Sequence, residues 1–234
     1  MVKKKKKKKN LFKRLGRIVI NILCLFFALS LLQVFAFRFI NYPFAMSDLA
    51  FRVRNMFSSD KYIIPKGEWR PIRDISPNLI RAVLAVEDQR FMSHSGFDFQ
   101  EIQRALRDIL NDGTVRGAST ITMQMARTVF LWRGRSITRK AAEAYYTVLI
   151  EFAMPKMRIL EMYLNTVDWG TGIRGAEAAS KKYFNKSAAE LTSEEAALLA
   201  AILRGPHKWS PVNPDKYILD RQKRILKSME RMHL

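Results

Sequence analysis

The sequence predicts a mainly α-helical domain carried on a single N-terminal transmembrane helix. Three observations lead there. A twenty-residue apolar run, Ile18 to Phe37, lies directly behind a block of lysines. Downstream of it, helix start and stop signals follow one another at helical spacing. No stretch after residue 41 alternates with period two over strand length, and no repeat or low-complexity tract occurs outside the lysine block.

Within Ile18 to Phe37 the only polar members are Asn21, Ser30 and Gln33. Twenty residues make about 30 Å of helix, the thickness of a bilayer's hydrocarbon core. A soluble core helix would show a polar stripe, which this run lacks. A cleavable signal peptide is the rival, but the run is longer than a usual signal core and no small-x-small cleavage site follows it. Lys3 to Lys9, Lys13, Arg14 and Arg17 supply ten of the chain's net +20 charges, with no acid before residue 18. Such a block can bind nucleic acid. Placed before a span, it instead holds the N-terminus in the cytoplasm and sends residues from about 41 onward across the membrane. The remainder stays basic, which suits an anionic partner: nucleic acid, acidic lipid or a phosphorylated substrate. Cys24 is the sole cysteine, so no disulfide closes within the chain, and His94, His207 and His233 show no metal-ligand spacing.

The remaining elements follow in order. Residues 41–75 mix aromatic and apolar side chains with Arg52 and Arg54, and read equally as a linker, a first core helix or a segment resting on the membrane. Trp69 to Pro71 leads into the main domain. Ser76 caps a helix with Pro77 in its first turn, and Leu79, Ile80, Val83, Leu84 and Val86 form its apolar face. Asp98 and Glu101 make a capping box for a helix that Asn111-Asp112-Gly113 stops. Gly113 to Gly117 is a flexible loop, and Ser119 or Thr120 caps the next helix, which runs through Gln124 and Arg127 to Leu131. Ser136 starts another, ended by Pro155, which opens a further helix with stops at Asn165 and Gly170. Arg174 to Phe184 reads helical. Thr192 and Glu195 form a second capping box before an Ala/Leu-rich helix closed by Gly205-Pro206, and a last helix runs from about Pro214 to Met232. The division expected is a basic tail (1–17), a transmembrane helix (18–38), a juxtamembrane segment (39–68) and a globular domain (69–234).

Two constellations carry chemistry. Glu87 and Asp88 are delivered to a core edge beside Val86 and Phe91, where burial pushes a carboxyl toward the pKa of a working general base. The plainer reading is a surface acidic pair capped by Arg90. Arg127, Arg135, Arg139 and Lys140 gather around Glu143, with Arg139, Lys140 and Glu143 on one helix face. The plainer reading there is a solvated face with weak salt bridges. Ser119 and Thr120 are most simply caps, and His94 a hydrogen-bonding residue of the turn.

Five segments then point to a family. Glu87-Asp88-x-x-Phe91-x-x-His94-x-Gly96, Gly117 to Gln124, Arg139-Lys140-x-x-Glu143, Arg158 to Asn165, and Gly175 to Ala179 with Tyr183-Phe184 resemble, in order and at ordinary spacing, the five motifs of the family 51 peptidoglycan glycosyltransferases in their monofunctional biosynthetic form. The resemblance covers roughly residues 70–210. It implies a lysozyme-like helical fold with a jaw at the outer leaflet, and lipid II and nascent glycan strands as substrates.

It further implies that Glu87 and Glu143 are catalytic. Glu87 is the general base for the acceptor's GlcNAc 4-hydroxyl, and inversion gives a β-1,4 link with release of polyprenyl pyrophosphate. Glu143 positions the nearby cations or a bound metal, with a divalent cation, Mg or Mn, as candidate cofactor. Arg127, Arg135, Arg139 and Lys140 are the implied ligands of the donor pyrophosphate; Asp88, Ser119, Thr120 and Gln124 line the substrate site. Glu161 and Asn165 hold helices together. Penicillin-binding transpeptidases and cell-division proteins are candidate partners, nucleic acid is not, and the implied location is the bacterial inner membrane with the domain outside the cytoplasm.

Arg127 departs from the family's usual Lys, which keeps the charge but changes phosphate geometry. The penicillin-binding transpeptidase domain of bifunctional relatives is absent, so the expectation is polymerisation without cross-linking. A lytic enzyme on the same scaffold has no need of the cations around Glu143, a non-catalytic scaffold leaves both glutamates without purpose, and a nucleic-acid binder lacks a reading module.

Overall fold

The computed structural model describes residues 2–41, 46–58, 67–113, 117–132, 134 and 136–232. The chain divides into two units, residues 1–40 and 41–234. The first is one helix, α1 (Val2–Phe37). Its stretch Lys13–Phe37 is long and apolar enough to cross a membrane, and only 11% of an 18-residue apolar window within it is buried, whereas a soluble core helix would hide its Leu and Phe side chains.

The second unit is helical: α2 (Met46–Phe57), α3 (Pro77–Glu87), α4 (Phe99–Asp112), α5 (Ile121–Phe130), α6 (Ile137–Ala153), α7 (Lys156–Thr166), α8 (Ala176–Phe184), α9 (Ser193–Ile202) and α10 (Lys216–Met229). Caps fix most of the starts. Ser76 accepts from Asn78 N–H, Asp98 from Glu101 N–H, Thr120 from Met123 N–H and Ser136 from Arg139 N–H. The Thr192/Glu195 capping box closes in both directions, and so does a second one, Ser187/Glu190, that the sequence reading passed over. The last helix starts at Lys216 because Asp215 caps it. Two layers form the core: α9 packs on α3 and α10, and α5 packs on α6 and α7. Ile159, Leu160, Met162 and Leu164 on α7 and Leu199 on α9 are fully buried.

Two local readings change. Arg174 is not helical: it ends a small antiparallel hairpin, β1 (Asp168–Gly170) with β2 (Ile173–Arg174). Strands of three and two residues are too short to show an alternating pattern. The helix begins only at Ala176 because Gly175 sits at φ +81°, and a Cβ there would stand 2.7 Å from the Asn165 carbonyl oxygen. α7 ends at Thr166, one residue past Asn165, but Asn165 is not its cap. It is buried within it, accepting from Arg70 N–H and donating to Arg70 O, each at 2.8 Å. Glu161 accepts from Ile72 N–H at 2.7 Å, so both residues tie α7 to the segment leading into α3.

Buried ion pairs link distant segments. Asp48 on α2 pairs with Arg174 on β2, both buried. Glu177 on α8 is fully buried and accepts from Arg70 at 2.9 Å and from Ala188 N–H at 2.8 Å. Burial pushes its carboxyl up, but the bonds from Arg70, Ala188 N–H and Lys181 outweigh that and leave its pKa below the usual carboxylate value.

Two expectations follow from this packing. A carboxylate depressed on folding adds stability above its unfolded pKa and loses it as pH falls through the folded one, so urea melts should show stability falling below about pH 4. Glu177→Gln should lower stability by about 2 kcal/mol at neutral pH and flatten that acid slope; an unchanged slope would place the acid sensitivity elsewhere. Gly175→Ala should be destabilised by roughly 2 kcal/mol or more in the same melts, from positive φ and the clash with Asn165.

Candidate active site

The C-terminus of α3 and the loop after it bring the first constellation to the wall of a cleft of about 740 Å³. Glu87, the last residue of α3, lines the cleft, and its Oε2 accepts from Gln124 Nε2 at 2.7 Å. Asp88 is the C-cap, buried, with both oxygens engaged: Oδ1 with His94 Nε2 at 2.8 Å and Oδ2 with Ile121 N–H at 3.0 Å. Arg90 does not cap this acidic pair; it donates to Asp98 Oδ1 at 3.0 Å. The loop lies close against α6. At Gly96, φ +86°, a Cβ would fall 2.7 Å from Thr147 Cγ2, and Gly96 O accepts from the Thr120 hydroxyl at 2.7 Å.

α5 supplies the next part. Gly117 to Thr120, Gln124 and Arg127 all line the cleft, with Thr120 buried as the N-cap of α5. The second constellation sits on α6. Glu143 is fully buried, its Oε2 accepting from Arg139 Nη1 and its Oε1 from Lys140 Nζ, both at 2.6 Å. The Arg139 side chain is 10% exposed and that of Lys140 51%, so Lys140 presents the cluster's charge outward. Its Nζ also reaches Ser119 Oγ at 3.5 Å, which ties this cluster to the cleft edge. Arg139, Lys140 and Glu143 are not among the residues lining the cleft itself. Arg135 lies outside the described residues.

Sequence reading missed the far wall. Arg104 on α4, Arg204 after α9 and Arg221 on α10 complete the cleft, and no motif in the chain flags them. Arg127, Arg204 and Arg221 have no acidic partner among the described residues, and with five arginines against four carboxylates the cleft lining keeps a small excess of positive charge, which suits an anionic ligand. The one signal available was the basic character of the chain beyond its lysine block.

For a divalent cation, the one group of candidate ligands among the described residues is Asp88, His94 and Asp98, whose ligand atoms lie within 4.8 Å of one another. Asp98 Oδ1 already accepts from Arg90 and from Glu101 N–H, and Asp88 is engaged on both oxygens. An ion there would compete with these donors for Asp88 and for Asp98 Oδ1, while the buried His94 Nδ1 has no hydrogen-bond partner among the described residues; at Glu143 it would compete with Arg139 and Lys140. The resident cations already supply the positive charge at that position.

Comparison with known proteins agrees with the site. A family model described as Transglycosylase matches residues 60–230. The biosynthetic peptidoglycan transglycosylase of Shewanella oneidensis is 44% identical over 225 residues, covering 96% of this chain and 93% of that one. Its namesake in Stutzerimonas stutzeri is 40% identical over 224 residues, 96% of this chain and 90% of the relative. The one in Caulobacter vibrioides is 49% identical over 160 residues, 68% and 70% of the two chains. The matched region contains every residue that lines the cleft and all of the Glu143 cluster, and on that extent the chain belongs to the transglycosylase family, with its lysozyme-like helical domain.

Proposed function

We propose that this chain polymerises the glycan strands of peptidoglycan from lipid II, with inversion at the transferred sugar. The observation that carries the reading is Glu87: a carboxylate on the cleft wall with one oxygen held by Gln124 and the other turned to no partner among the described residues. That free oxygen takes the proton of the acceptor's GlcNAc 4-hydroxyl as the hydroxyl oxygen attacks the donor's anomeric carbon. The bond from that carbon to the pyrophosphate oxygen breaks, and polyprenyl pyrophosphate leaves with the bonding electrons. Attack opposite the leaving group gives a β-1,4 link.

Charge develops on the leaving pyrophosphate, and preorganised cations lower the barrier most where they need not move. Lys140, Arg139 and Arg127 are the proposed donors to it, with Arg135 beside them in sequence. Glu143 has no free oxygen, so its proposed role is to hold Arg139 and Lys140 in place without touching substrate. Asp88 braces the loop, while Ser119, Thr120 and Gln124 line the donor side. No step runs through a metal ion.

The same helix explains how a lipid-linked substrate would be met. Ile137, Val148 and Phe152 fall on one face of α6 and are 90%, 56% and 82% exposed. Lys140 lies one turn from Ile137, beside that apolar stripe. A cation next to an exposed apolar stripe matches a pyrophosphate carried on a polyprenyl chain. We propose that α1 is a retained anchor in the bacterial inner membrane, with its N-terminus cytoplasmic and the domain of residues 69–234 outside, joined by the juxtamembrane segment 39–68. The lysine block supports that orientation. Penicillin-binding transpeptidases and cell-division proteins are the proposed partners, since a polymerised strand must then be cross-linked.

The test uses full-length protein in detergent with labelled lipid II and no preformed glycan, sizing the products before and after a muramidase. Wild type should give long, muramidase-sensitive polymer. Glu87→Gln should lose about a thousandfold in rate or more with its melting temperature unchanged. Near-normal turnover would take the base role from Glu87, and cleavage of isolated wall material without polymer would make the protein lytic. Lys140→Ala should lower kcat/KM for the donor by roughly tenfold or more, a larger effect than on stability. A lowered melting temperature with intact donor use would reduce the cluster to a salt bridge on α6.

A further inference from the structure

Gln124 has two ends, and both are engaged. Its Nε2 donates to Glu87 Oε2 at 2.7 Å, and its Oε1 accepts from the Tyr163 hydroxyl on α7 at 3.4 Å. An ionised carboxylate can only accept, so the amide must turn its NH2 toward Glu87 and its carbonyl toward α7. Tyr163 is 2% exposed, and among the described residues its hydroxyl is the donor that meets the Gln124 carbonyl. Burial, and after it the negative charges of Glu87 and Asp88, drive the phenol's pKa well up against the opposing pull of Arg127. The phenol therefore stays protonated and able to donate. A separation of 3.4 Å is long for an O–H···O bond, so the contact is a weak one.

We propose that Tyr163 is a positioning residue for the base: by meeting the Gln124 carbonyl it keeps the amide on Glu87 Oε2 and leaves Oε1 as the oxygen that receives the acceptor's proton. The inference rests on the polymerase reading. Without the hydroxyl, the Gln124 carbonyl is a half-buried acceptor with no donor. The amide then swings toward water in the cleft and takes its NH2 away from Glu87. Loss of a donor to a carboxylate favours its protonated form, and a base that is protonated cannot act. The charged groups sharing the cleft are Asp88 beside Glu87, Arg127 on α5, Glu101 and Arg104 on α4, and Arg204 and Arg221 on the far wall, beyond the paired Arg90 and Asp98. Tyr163→Phe changes none of them and keeps the ring that fills the core.

Initial rates on purified lipid II should be measured across the pH range for full-length wild type and Tyr163→Phe in one detergent. The expected result is kcat lowered about tenfold, KM within about twofold, and the acid limb of the profile moved up by roughly half a unit or more. The melting temperature should stay within about 2 °C of wild type. An unmoved acid limb overturns the proposal whatever happens to the rate, because a packing residue would lower activity and melting temperature without touching that limb. A crystal structure of the variant gives a second reading independent of activity. Gln124 Nε2 gone from Glu87 Oε2 supports the role, and Nε2 still at hydrogen-bond distance overturns it. Absence of polymer from wild type would strike the polymerase reading alone.

Discussion

Both oxygens of Asp88 are taken: the His94 imidazole holds one and so ties the loop after α3 to itself, and the first N–H of α5 holds the other and joins that loop to α5, the two segments that carry the cleft. The loop after α3 brings Glu87, and α5 brings Gln124 and Arg127. A carboxylate at a helix N-terminus also meets the positive end of that helix. The loop is pressed down by a second contact, the Thr120 hydroxyl on Gly96 O, at a position where any side chain would strike α6. Glu87 has its bearing relative to Gln124 because these two bonds leave the loop little room to turn.

The two glutamates of the site show how burial and hydrogen bonding separate roles for one residue type. Glu87 is half-buried, faces the cleft and is held on one oxygen. Glu143 is fully buried and held on both, by cations that would otherwise be free to wander. Removing either cation would leave a buried carboxylate short of a partner, which is strongly unfavourable. That penalty keeps Arg139 and Lys140 in one arrangement before any substrate arrives, and preorganisation of this kind is what a developing anion needs.

Much of this was readable in the chain. Ser76, Asp98, Thr120, Ser136 and Thr192 announced their helices because a cap is a local bond between neighbours in sequence. The apolar span and the family were legible for the same reason: both are written in contiguous residues. What sequence reading could not give was the outcome of folding contacts over long separations. The Arg90 partner proved to be Asp98 instead of the acidic pair beside it. The far wall of the cleft came from α4, the turn after α9 and α10, whose arginines look like ordinary surface charge until the helices pack. Arg174, at the end of the hairpin at 168–174, is buried against Asp48, a partner 126 residues away in sequence.

The apolar stripe on α6 also bears on how this protein behaves in a test tube. Ile137, Val148 and Phe152 are a second water-averse surface, separate from α1 and built into the folded unit. Trimming away α1 would not by itself yield a freely soluble enzyme, because the shortened protein would still present that stripe to its neighbours. Its colloidal state would depend on amphiphile or salt, and rates measured without attention to that would reflect self-association as much as chemistry.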